Sequence, residues 1–413
     1  MAKKKKIIIN AKVLFDGKNK YENKSVIVEN DKIIEVRKSK KLKSDFEGFV
    51  TPAFIDAHSH IGLYRDGEPS NEQEGNDITN QFLPFNDPLN SVYFDDKAFK
   101  DAVDFGVLYS CIVPGSGNLV AGKAMIIRNF VENRKNALIK DYGYKMALGF
   151  NPRSTLDWKG IRPDTRMGIY AMLEDKFDKA LQKKDKAILK KEKALRKLNK
   201  KKIDKKQNLT KAEFEIEQKD IVKEYELTFN NEDIAILEIL SGKKVAKIHV
   251  HKEDDVLYLI KLVKKYGINA TADHTGDVHH KQIFDELAKN NIPIVFGPLG
   301  GIGPKIELAH ADYKNANLLM KSEAFYGLMT DHPVIWAPNL RDSLKYFLIH
   351  GMKEEEAISI ITYKNAKILG IDDILGTIEK GKLASMIVWN KNPLHFGAYP
   401  IMVMGEGKVL RKS

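Results

Sequence analysis

His58 and His60 stand two residues apart behind the apolar run Phe49 to Ile55, in Asp56-Ala57-His58-Ser59-His60. On a regular strand, positions i and i+2 point to the same side. Two imidazoles on one side can both reach one metal ion, at about 2.0–2.1 Å. Further donors fall where other apolar runs give way to loops. His249 ends Lys-Ile-His and His251 follows it, His274 ends Ala-Thr-Ala-Asp-His, and Asp331 ends Gly-Leu-Met-Thr-Asp. A single strand-end histidine is commonly a hydrogen-bonded loop anchor. Four such placements on separate strands point jointly to a metal site. In a parallel barrel the C-terminal strand ends form the active-site face.

The elements that position these donors alternate apolar strand-like runs with helix-length segments. The strands are Phe49 to Ile55, Val107 to Val113, Tyr144 to Leu148, Val245 to Val250, Asn269 to Ala272, Ile292 to Phe296 and Phe325 to Met329. Continuous apolar strands between helices imply a parallel sheet covered on both faces. A closed barrel needs an eighth strand, expected around 302 to 308 or within 151 to 170. Both chain ends carry short β signals, with a turn at Asn30-Asp31 and a final hairpin around Gly405-Glu406-Gly407. The expected organisation is an α/β chain. Residues 1–51 and 366–413 form one composite β unit, and residues 52–365 form the barrel, with a helical hairpin inserted at about 170–240.

That hairpin carries the charge. The chain has 413 residues and a formal net charge of +12, and Lys176 to Lys206 holds 15 Lys or Arg against 4 Asp or Glu. A basic run of this kind binds nucleic acid or is a solvated helical face. The solvated face is the expectation, with an oligomer or partner contact as the sharper reading of the hairpin. Cys111 is the only cysteine, so no intrachain disulfide forms, which fits a reducing compartment. No run of 18 or more apolar residues suggests a membrane span, and Ile7-Ile8-Ile9 is too short for a signal core. The cytoplasm is the expected location.

Thr51-Pro52-Ala53-Phe54-Ile55-Asp56-Ala57-His58-Ser59-His60 resembles the opening motif of the amidohydrolase superfamily. Val113 to Asn118, Asn151-Pro152-Arg153 with Thr165 to Gly168, Ile248 to Asp255, Thr330 to Pro333 and Gly376 to Lys382 are similar to its imidazolonepropionase-related branch. The resemblance implies a distorted (β/α)8 barrel beside a small β-sandwich built from both termini. It also implies a divalent metal, zinc with iron or manganese as alternatives, surrounded by His58, His60, His249 and Asp331. By that likeness His274 is a second-metal ligand or a group polarising the substrate carbonyl, and His251 is an alternative ligand. Two departures favour one metal over two. Relatives carry an acidic residue in Gly-Glu-Asn-Pro where this chain reads Gly149-Phe150-Asn151-Pro152, and no lysine for a bridging carbamate is identifiable.

The implied chemistry is hydrolysis of an amide or cyclic amide. A divalent ion such as zinc lowers the pKa of bound water to about 7. Asp331 would take the water's proton and pass it to the leaving nitrogen, and His274 would donate to the developing oxyanion. Arg153 and Arg166 are candidates to hold a substrate carboxylate, or else to fix a loop by a salt bridge. His332, Asn339 and Arg341 are candidate pocket residues. The long polar stretch Asp66 to Asn80 suits a loop over the site. A dipeptidase or N-acyl amino acid hydrolase would share the metal site. The rival outside enzymology is a weakened barrel that binds a partner through the basic hairpin.

Overall fold

The structure is a computed structural model that describes residues 6–39, 43–77, 79–153, 162–203, 209–301 and 305–413. The N-terminal strands are β1 (Lys6–Phe15), β2 (Lys20–Glu29), β3 (Lys32–Lys38) and β4 (Phe46–Pro52). The middle of the chain supplies β5 (Phe54–Ser59), β6 (Val107–Ile112), β7 (Val120–Arg128), β8 (Leu138–Ala147), β9 (Val245–Val250), β10 (Ala270–His274), β11 (Ile294–Phe296) and β12 (Tyr326–Leu328). The C-terminal strands are β13 (Met386–Trp389), β14 (Pro400–Gly405) and β15 (Lys408–Lys412).

Both chain ends build one seven-stranded sheet, in the order β15-β14-β13-β4-β1-β2-β3. It buries a core of its own, with Ile9, Leu14, Val26 and Val50 from one end and Met386, Val388, Met402 and Met404 from the other. Neither end carries enough apolar surface to do this alone, so the two ends must meet. Its tight turns fall where the residues tolerate left-handed backbone, at Asn30 and at Glu406-Gly407.

The second sheet has eight strands, β5 through β12 in sequence order. The eighth strand is β7, which pairs antiparallel with both β6 and β8. It therefore lies in neither stretch where it was expected, of which 154–161 and 302–304 fall outside the described residues. The sequence rule fails here because β6, β7 and β8 follow one another without a full crossover helix, so alternation with helices gives no signal. The remaining neighbours pair parallel.

No ladder joins β12 to β5. Asn365 bridges that gap instead. Its buried amide donates to Ile55 O (2.6 Å) and Leu328 O (2.8 Å) and accepts from Leu328 N (3.0 Å). Above it, Asp331 N donates to His58 O at 3.1 Å and His60 N to His332 O at 3.1 Å. The backbones that carry His58, His60 and Asp331 are thus tied together where the barrel closes.

The helix Arg166–Ile203 runs for 38 residues. Ile169, Leu173 and Phe177 near its start are fully buried in the barrel core. Its later part pairs with the returning helix Lys211–Glu226, which opens on a capping box between Thr210 and Glu213. Lys190 meets Glu224 at 2.5 Å and Lys201 meets Glu217 at 3.2 Å, all exposed. Part of the basic run is therefore answered by the partner helix.

Candidate active site

At the C-terminal rim of the barrel, six predicted donors converge into two trios. His58, His60 and Asp331 form one, and His249, His251 and His274 form the other, each with ligand atoms within 4.8 Å of one another. Their strands explain the convergence. His58 lies in β5, His249 in β9 and His274 closes β10. His60, His251 and Asp331 follow directly in the loops. The rings of His58 and His274 lie 5.0 Å apart and those of His249 and His274 4.2 Å apart, so the trios adjoin. His274, Thr275 and Asp331 all hold left-handed backbone, at φ 79°, 53° and 52°. That conformation is costly for residues other than glycine and concentrates at functional sites.

Hydrogen bonds fix how the rings present themselves. His58 Nδ1 donates to Asp273 Oδ2 (2.7 Å), His60 Nδ1 to Val113 O (2.7 Å) and His274 Nδ1 to Gly297 O (3.1 Å). Nε2 of each ring then faces the site: that of His58 meets Lys145 Nζ, that of His60 meets Asp331 Oδ1, and that of His274 has no partner. His274 Nε2, His249 Nδ1 and His251 Nδ1 are buried without any hydrogen-bond partner. Such orphaned nitrogens are uncommon in folded proteins. Burial holds His249 and His274 well below the usual histidine range and His58 and His251 down at about 3. They are therefore neutral, the form that binds a cation. The donor set fits a divalent metal.

The other side of the site is a charge network. Burial pushes the Asp273 carboxyl up, but the Lys247 ammonium at 2.9 Å and the His58 bond outweigh it and hold it below the usual carboxylate range. Burial also raises Asp331, yet His60, with Nε2 3.1 Å from Oδ1, leads the groups that bring it down to about 2. Asp331 is therefore ionised at neutral pH. Buried Asp56 accepts Thr330 N at 3.1 Å and the Thr330 hydroxyl, which anchors the segment leading to Asp331.

Lys145 is the residue that sequence reasoning missed. It sits in β8 beside Lys247 of β9, fully buried, with Nζ 3.1 Å from His58 Nε2. The sequence alone singled out no lysine near the donors, and the structure places this one beside them. Burial lowers its ammonium to about 8, against the pull of Asp273 and Asp331. The signal was present as a lysine inside the apolar run Tyr144 to Leu148. Asp273 and Lys247 were missed in the same way.

Glu307 was also missed. It is buried, with Oε2 accepting Phe150 N at 3.1 Å and Oε1 lying unpartnered 3.8 Å from His249 Nε2. A carboxylate thus reaches the neighbourhood of Phe150 from a different loop. Gly149 makes room for it: at φ 80°, a Cβ there would stand 2.9 Å from Asp255 Oδ2 and 3.2 Å from Glu307 Oε2.

Of the remaining candidates, the three arginines are engaged elsewhere, and His332 keeps an unpartnered Nε2. Arg166 spans Asp254 (3.3 Å) and Asp255 (3.2 Å), the salt-bridge arrangement weighed from sequence. Arg153 Nε donates to Asp164 O at 2.7 Å. His332 is buried, with Nδ1 accepting Ala337 N at 3.3 Å. Arg341 donates to Ala398 O at 3.1 Å and lies over the Trp389 ring. The loop from Asp66 is pinned to the segment Gly115–Asn118, with Gly117 N donating to Asn76 and the Asn118 amide donating to Asp77 O and Asn80 O.

Known proteins share this architecture. A model of the amidohydrolase family matches residues 186–410. The curated protein Amidohydrolase tasK of Hapsidospora irregularis is 24% identical over 390 residues, 87% of this chain. The chain spans 36% of that protein's length. The crystal structure of an amidohydrolase from Thermotoga maritima MSB8 superposes with a TM-score of 0.82 at 28% identity, over 98% of this chain and 100% of that one. A Xaa-Pro dipeptidase with bound methionine shares the fold, at TM-score 0.56 and 14% identity over 98% and 99% of the two chains. With a family model over more than half its length and a barrel rim furnished as described, the chain belongs to the amidohydrolase family.

Proposed function

We propose that this protein is a metal-dependent hydrolase of carbon–nitrogen bonds in small amides. The observation that carries the reading is the convergence of two donor trios, the second with orphaned, neutral ring nitrogens, on one charged, buried network. Two divalent ions suit this arrangement better than the single ion expected from sequence. His58, His60 and Asp331 would hold one, and His249 and His274, with His251 beside them, the other. Bound there, the ions would supply Lewis acidity and a water acidic enough to ionise near neutral pH.

The chain's own groups do the rest. Asp331, ionised and facing the cavity, takes a proton from the water that attacks the amide carbon. It returns that proton to the nitrogen as the C–N bond breaks. Asp273 fixes the ring of His58 from behind, and Glu307 stands behind His249. Lys145 is placed for carbamate formation. Its neutral amine would add to carbon dioxide, form an N–C bond and release a proton, leaving a carboxylate beside both trios. The intact donor set argues against a scaffold that has lost its chemistry.

The test is a hydrolysis screen of N-acyl amino acids, cyclic amides and dipeptides, with metal-free and metal-loaded protein compared. Metal-dependent turnover of at least one class is expected. Metal loading without turnover of any class would count against the reading.

A further inference from the structure

A cavity of about 360 Å³ opens directly beside His251 and Asp331. That is within the roughly 300–1,000 Å³ range of small-molecule sites. Its walls are mostly apolar, with Leu299, Leu308, Val334, Tyr313 and Tyr346 among them. Neither Arg153 nor Arg166 lines it. Among the described residues, the lysine or arginine that does is Lys305.

Lys305 is an exposed lysine at the cavity wall, with the buried Glu307 carboxylate two residues along the chain. Among the described residues no carboxylate lies within 4.0 Å of it, and its Nζ reaches only Asn151 Oδ1, at 3.4 Å. Asp312 also lines the cavity, but its Oδ1 caps Lys314 N at 2.8 Å in an exposed turn. The cavity therefore offers a ligand three things: a broad apolar wall with two tyrosines, one ammonium, and the candidate general base. A ligand that meets all three carries a large apolar side chain, a free carboxylate and a hydrolysable amide within one residue's span.

From this we infer that the substrates are N-acyl α-amino acids with large apolar or aromatic side chains. Their carboxylate sits on Lys305 and their side chain against Tyr313 and Tyr346. The inference rests on the hydrolase reading above and narrows it. Lys305 is a specificity-determining residue, since a lysine ammonium attracts a carboxylate as a point charge.

Three probes separate the contributions: N-acetyl-L-phenylalanine, N-acetylphenethylamine, which lacks the carboxylate, and N-acetylglycine, which lacks the side chain. For the metal-loaded protein, kcat/KM is expected to be at least tenfold higher for the first than for either of the others. In Lys305→Met the preference over N-acetylphenethylamine should fall to about one, and Lys305→Arg should restore part of it. Equal kcat/KM for the acid and the neutral amide, or a preference that survives Lys305→Met, would overturn the inference and leave the hydrolase reading intact. If none of the probes is turned over, calorimetric binding decides the pocket on its own. Tighter binding of N-acetyl-L-phenylalanine than of the neutral amide, lost in Lys305→Met, supports it. Equal binding, or none, overturns it.

Discussion

The ammonium of Lys145 donates to Nε2 of His58 across 3.1 Å, at the bottom of the site. That nitrogen is a lone pair because Nδ1 already donates to Asp273. It also faces Asp331 Oδ1 at 3.5 Å. Two acceptors facing each other in a buried site call for a positive charge, and here the lysine supplies it. Burial lowers this ammonium to about 8, which brings its neutral form within reach near neutral pH. A carbamate on this nitrogen would turn the cation into an anion and leave both trios open to metal. Lys145→Ala is therefore expected to bind less metal and lose turnover by at least about a hundredfold. Added formate or acetate should recover part of both. Unchanged metal content in the variant would remove the lysine from the site.

Asp331 lies at the junction of cavity and donors. Asp331→Asn keeps the size and backbone conformation of the residue but cannot take a proton. Turnover should fall by about 10²–10⁴-fold, the usual contribution of a general base, while much of the metal remains bound. Full activity in this variant, measured as kcat with metal content in parallel, would sink the role.

Glu307 is expected to act through His249. Its free Oε1 lies 3.8 Å from His249 Nε2, which accepts the Asn151 side-chain amide at 3.1 Å, while Nδ1 of the same ring lies bare. Partners of this kind orient a ligand and typically matter about 10–100-fold in metal affinity. Glu307→Gln should weaken metal binding to this extent in a competition titration with a chelator. Loss of stability without loss of affinity would mark Glu307 as packing alone.

The sequence revealed the donors that end strands and concealed the charges inside them. His58, His249, His274 and Asp331 stand where apolar runs stop, a position that periodicity can find. Lys145, Lys247 and Asp273 lie within such runs, where a charge reads as an interruption, not as half of a pair. Their meaning depends on register, with Lys145 opposite Lys247 and Asp273 opposite His249. Single-strand patterning carries no register information. Strand β7 was missed for a related reason, since it reverses direction with no full crossover helix before or after it. Glu307 comes from a loop distant in sequence, and only the fold brings it to Phe150.

Cys111 offers a check on burial at the barrel core. Burial pushes its thiol from 9.0 up to about 12, with Lys247 pulling the other way. The folded state then keeps its proton where the unfolded state loses it. Stability from this group is intact below pH 9 and declines as pH rises from 9 toward 12. At pH 8 the native thiol should react with an aromatic disulfide reagent at least about tenfold more slowly than the unfolded chain. Equal rates would mean that the strand carrying it is open to solvent.

The most direct measurement is the metal content of the purified, reconstituted protein by mass spectrometry, read together with turnover as metal is added back. Two equivalents of divalent metal per chain are expected, with hydrolysis rising as the second binds and with Lys145→Ala falling short of two. Protein that takes up no zinc, iron or manganese under any loading condition would contradict the account at its centre.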